Sequence, residues 1–64
     1  MAGAADSGIQ PGQWFQQNRI VWEVDQFASF NGIPHVRISQ VRDHTERKLI
    51  SVGSLRADYD LVPE

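Results

Sequence analysis

Sixty-four residues with a formal charge of −2 make one small domain, and a chain of that size buries only about 60% of the surface its unfolded form exposes. No cysteine is present, which removes disulfide staples and thiolate metal sites together and favours a reducing, cytoplasmic setting over a secreted one. No apolar run approaches the roughly 20 residues of a membrane span, and the acidic balance argues against a role dominated by phosphate binding.

Residues 1–8 are small and polar and read as a disordered lead-in, with residues 9–64 as a single domain. Ile9-Gln10-Pro11-Gly12 reads as a turn. Gln13 to Gln17 follows as a short first strand, with Trp14 expected to face inward. Asn18-Arg19 is a tight connection, because Asn reaches the left-handed region at little cost. The clearest element comes next. Ile20 to Phe27 sets Ile20, Trp22 and Val24 against Glu23 and Asp25, the period-two signature of a half-buried strand rich in residues that suit a pleated surface.

Ala28 to Pro34 interrupts this pattern: Asn31-Gly32 is the strongest short turn signal, and Pro34 cannot donate to a ladder. His35 to Arg42 alternates again, with Val36 and Ile38 inward; Val41 falls out of phase, which a bulge near Gln40 or a twisted strand end would explain. Asp43 to Glu46 makes a polar loop. Arg47 to Val52 returns as a strand with Ile50 and Val52 inward, in a register that pairs Ile38 with Ile50 and Val36 with Val52. Gly53 permits a bend, Ser54 caps a helical turn to Asp58, and Tyr59 to Val62 forms a fifth strand before Pro63.

Five short strands, with one helical turn before the last, specify an all-β fold, and a single five-stranded barrel hides its sheet edges most economically at this length. Pro11-Gly12 and Trp14 ahead of the first strand, Ile20-Val21-Trp22-Glu23-Val24 as the second, the hairpin from His35-Val36-Arg37-Ile38 through Ser51, and Ser54-Leu55 leading to Leu61 together resemble the SH3-like small barrels, the group that includes Tudor and KOW-type domains. The resemblance spans residues 11 to 62 and is one of architecture, with no diagnostic motif of a subfamily. It implies a binding or structural module without catalysis. The Ala-Leu-Tyr-Asp-Tyr-like opening of SH3 peptide binders is absent. A Tudor-like aromatic cage would require Trp14, Phe27, Phe30 and Tyr59 to converge, and KOW-type domains are usually more basic.

No catalytic or metal-binding constellation stands out. His35 and His44 have no cysteine or ligand spacing around them, no serine sits on a glycine elbow, and Glu23 and Asp25 read as solvated carboxylates on one outward face. No cofactor and no enzymatic activity are expected. Two surfaces remain. With the alternating apolar residues inside, Val21, Phe27 and Leu49 point outward and Phe30 sits on a loop beside Phe27, an apolar set suited to a protein partner or to self-association into a homo-oligomer. The alternative is nucleic-acid contact through Arg37, Arg42, Arg47 and Lys48 around the hairpin of the third and fourth strands, with Arg56 as a further basic candidate.

Overall fold

The computed structural model describes residues 8–63; of the lead-in expected over residues 1–8, residues 1–7 lie outside the described residues. In chain order the elements are β1 (Trp14–Gln17), β2 (Ile20–Phe30), β3 (Ile33–Gln40), β4 (Arg47–Ser51), α1 (Val52–Asp58) and β5 (Asp60–Leu61). The strands form one antiparallel sheet in the order β4-β3-β2-β1-β5. Its ladder ends at β4 on one side and at β5 on the other.

Two turns fix the register. Asn18 and Arg19 have φ of 53° and 69°, and Asn31 and Gly32 have 52° and 79°. Paired left-handed residues are the signature of the two-residue hairpin turn whose twist matches that of its strands. The first turn sets Gln17 opposite Ile20, and therefore Phe15 opposite Trp22 and Trp14 opposite Glu23. Opposed residues share a face, so buried Trp22 draws Phe15 inward. Trp14, expected inside, is instead 44% exposed. Ile20, also expected inside, is 40% exposed: it lies beside the turn, past Trp22 opposite Gln40, where the β3 ladder stops.

The second turn sets Phe30 opposite Ile33, and the strand then runs through Phe27 opposite Val36 to Val24 opposite Ile38, with a bulge between Val24 and Gln26. The extra residue is Asp25. A bulge reverses the alternation, so β2 turns even-numbered residues inward before Asp25 and odd-numbered ones after it. Phe27, read from unbroken alternation as outward, lies on the face of Val36. Of the two explanations for Val41, the strand end holds and not the bulge: β3 stops at Gln40, and Val41 N–H donates to the Val21 carbonyl at 2.9 Å.

β4 pairs with β3 so that Val36 meets Ile50 and Ile38 meets Lys48. This lies two residues from the expected register, a slip that keeps the same residues inward. It also frees Val52 to begin α1 rather than extend β4. The cap is Ser51, not Ser54: the Ser51 hydroxyl accepts from the Ser54 N–H at 3.1 Å, and Tyr59 N–H donates to the Leu55 carbonyl to end the helix. Tyr59 is thus a cap residue, and β5 is limited to Asp60–Leu61.

Ile9, Phe15, Trp22, Val24, Val36, Ile38, Leu55 and Tyr59 form the core, with Ile50 and Val52 packed against it. Ile9 was assigned to a turn, yet it is buried. Lys48 reaches inward beside this core. Its Nζ lies 4.5 Å from the Trp22 ring centroid and 5.6 Å from that of Tyr59, and donates to the Tyr59 hydroxyl at 2.9 Å.

Candidate functional site

β2 and β3 run on past their neighbours. On the β2 side the β1 ladder stops at Glu23, and the last contacts are Gly12 N–H donating to the Val24 carbonyl at 2.8 Å and Val24 N–H donating to the Gln13 carbonyl at 2.9 Å. On the β3 side the β4 ladder stops at His35 opposite Ser51. Gln26–Phe30 and Ile33–Pro34 consequently form a two-stranded arm that projects from the sheet.

Pro34 fits here without strain. Next to a two-residue turn the first pair exchanges hydrogen bonds and the second does not, so the nitrogen of Pro34, in the second pair, faces the side that β4 never reaches.

The arm carries Phe27 at 45%, Phe30 at 47% and Ile33 at 54% exposure. From residue 26 to residue 36 there is no Asp, Glu, Lys or Arg. Phe27 is on the inner face in the row of Val36 and Ile50; Phe30 and Ile33 are on the outer face. Phe30 packs edge-on against the His35 ring, with centroids 5.1 Å apart and planes at 84°. The His35 Nδ1–H donates to the Ile33 carbonyl at 2.9 Å, bracing the same tip.

Of the expected apolar set, Phe27 and Phe30 therefore share the arm, on opposite faces. Leu49, 41% exposed, lies at the base of the arm on the outer face, opposite Arg37. Val21 does not join them: it is half-buried opposite Gln16, at the other end of β2. Ile33 was missed because the proline after it was read as the end of an interruption. A two-residue Asn-Gly turn places Ile33 directly opposite Phe30, and that spacing could have identified it.

The basic set separates. Arg37 and Arg47 lie on the outer face and, with Lys48 and Leu49, line a shallow hollow of about 220 Å³. Among the described residues neither arginine makes an ion pair. Lys48 sends its ammonium to the opposite face, onto Trp22 and Tyr59. Arg42 is exposed beyond the end of β3, and Arg56 is on α1. Glu23 stands opposite Ser39, and Ser39 donates to Asp25 at 3.2 Å, so both carboxylates share the face of Arg37 and Arg47 and oppose its positive potential.

Trp14, Phe27, Phe30 and Tyr59 form no cage. Tyr59 is in the core, and among the described residues the ring-to-ring contact is that of Phe30 with His35. Trp14 instead lines a cleft of about 470 Å³ with Gly12, Gln13, Leu61, Val62 and Pro63, a lining without an ionisable side chain. His44 is exposed in the loop before β4, where Thr45 donates from its hydroxyl (2.6 Å) and its N–H (3.1 Å) to Asp43 and holds that carboxyl below its ordinary value. No group of His, Asp and Glu able to hold a metal occurs among the described residues, and none of their helices is long and apolar enough to cross a membrane. No family model, curated protein or solved structure matches the chain.

Proposed function

We propose that this chain is a non-catalytic protein-interaction module of the SH3-like small-barrel type, working in the cytoplasm, and that it meets its partner through the β2–β3 arm. Support for the architecture comes from the strand order, the single helix ahead of β5, and the Lys48–Tyr59 contact that draws β4 toward the segment leading into β5. The observation that carries the functional reading is the arm itself. Phe27 on one face and Phe30 with Ile33 on the other leave roughly 300 Å² of apolar side chain in water around one charge-free projection, at the lower end of the range for the largest apolar patch of a monomer, which is often functional. Interface centres combine aromatic enrichment with charge depletion in the same way.

A photo-activated phenylalanine analogue at Phe30, compared with one at the exposed turn residue Asn18, tests this in the cells that make the protein. A covalent protein adduct at position 30 and none at position 18 is expected. No protein adduct at position 30 contradicts the reading.

A second reading, nucleic-acid binding, draws on the unpaired Arg37 and Arg47 beside their hollow. Glu23 and Asp25 on the same face weigh against it, as does the diversion of Lys48. Titration with single-stranded and duplex oligonucleotides at low salt, where such binding is strongest, is expected to show none.

A further inference from the structure

The exposed side chains of the arm indicate a partner, and its backbone indicates which one. Hydrogen-bonded and non-bonded pairs alternate along an antiparallel ladder. Starting from the bonded pair Phe30–Ile33 next to the turn, Ala28 pairs with His35 by hydrogen bonds, while Phe27 and Ser29 turn their N–H and C=O groups away from β3. They face the side that β1 leaves empty, since β1 ends opposite Glu23.

Every other open edge of the sheet is guarded by a device known to block strand addition. β4 carries Arg47 and Lys48, and α1 begins directly after it. β5 is two residues long, with Asp60 in it and Pro63 just past it. The β3 side of the arm has Pro34, which has no N–H to offer. Among the described residues only Gln26–Phe30 presents a bare edge, with no charge and no proline, and the bulge at Asp25 lies at its start and leaves those residues regular.

We infer that the occupant of this edge is a second copy of the chain, added antiparallel to β2 about a two-fold axis at Ala28. This rests on the arm being the binding surface and goes beyond it by naming the partner. In that register Ala28 opposes Ala28 of the other copy, Phe27 opposes Ser29, and Gln26 opposes Phe30. The groups of Phe27 and Ser29 that now face solvent become the hydrogen-bonded pairs, and the two sheets become continuous. The edge is self-complementary: no like charges meet across it, and the smallest outward side chain sits at the axis.

The size of the contact fits a weak or moderate dimer. A homodimer interface of ordinary size covers roughly 800 Å² per partner, about 65% of it apolar. Phe27, Phe30 and Ile33 can supply roughly half of that apolar share, while Leu49, two strands from the added edge, lies outside the contact.

Sedimentation velocity across a concentration series tests the proposal on the intact chain, with Ser29→Pro, Ser29→Lys and Arg47→Glu as variants. Proline at Ser29 removes an N–H that makes no bond to β3, and lysine there sets two cations near the axis of the dimer while leaving the monomer unchanged. The wild-type chain is expected to pass from one copy to two. Both Ser29 variants should raise the dissociation constant by roughly tenfold or more, and Arg47→Glu should leave it unaltered. A wild-type chain that stays a single copy at every concentration overturns the proposal, as does a dimer indifferent to both Ser29 variants. If a monomeric chain nevertheless forms an adduct from position 30 with a different protein, the second copy is refuted and the arm remains the binding surface.

Discussion

Lys48 shows how one residue changes the meaning of a surface. On sequence it belonged to a cationic group with Arg37, Arg42 and Arg47. Strand parity decides otherwise: Lys48 alternates in step with inward Ile50 and opposes inward Ile38, so it stands on the inner face. Its ammonium then lies over Trp22 and bonds Tyr59, joining the edge strand β4 to the segment that enters β5. Since the lysine stem is otherwise exposed, the cation–π contact and hydrogen bond together contribute about 1–2 kcal/mol. Lys48→Ala is therefore expected to lower the unfolding free energy by that amount, read as a lower urea midpoint at unchanged slope, with Lys48→Arg recovering part of it. Arg47→Ala, which touches neither ring, should stay within about 0.5 kcal/mol of the parent.

At the scale of elements, the strands were legible and their phases were not. Alternation located β2, β3 and β4 and placed Trp22, Val24, Val36 and Ile38 inside, because buried β-branched and aromatic residues repeat at a fixed spacing. β1 is too short for alternation to choose between Trp14 and Phe15. The turn could have chosen: a two-residue link at Asn18-Arg19, with Trp22 inside, requires Phe15 inside. The bulge was deducible in the same way. Val24 inside sends Phe27 outward by parity, whereas Val36 inside and a two-residue turn at Asn31-Gly32 send Phe27 inward. Only an extra residue between Val24 and Phe27 reconciles the two, and Asp25 is that residue. Burial of Ile9 was not legible, because it depends on where the chain before β1 folds back. The helix start was misplaced because Ser51 and Ser54 are both good caps, and the ladder with His35 carries β4 as far as Ser51. With the cap on Ser51, Ser51→Ala should cost about 1 kcal/mol in chemical unfolding. Ser54→Ala, which leaves the Ser54 N–H bonded to Ser51, should cost less.

Across the whole molecule, a small core holds a sheet whose central strands are longer than their neighbours, and the described residues measure 31 Å along their longest axis against 18 Å along their shortest. A two-stranded ribbon standing alone is marginally stable in water. This one is anchored at its base by Val24, Val36 and Ile38 and braced at its tip by His35 against Phe30. Among the described residues, the same extension that leaves its aromatic residues uncovered leaves its backbone edge unpaired, so side chains and main chain both support the proposed binding surface. What composition concealed, a patch made of residues from both faces and both strands, follows from the difference in length between β2 and β1.

Amide hydrogen exchange on the chain at high dilution tests this most directly, residue by residue along the arm. Ala28 and Phe30, bonded to β3, should exchange slowly, while Phe27 and Ser29 between them should exchange at close to the rate of an open chain. Slow exchange at Phe27 and Ser29 in the dilute chain, or fast exchange at all four, would contradict the bare edge and with it the surface proposed for binding.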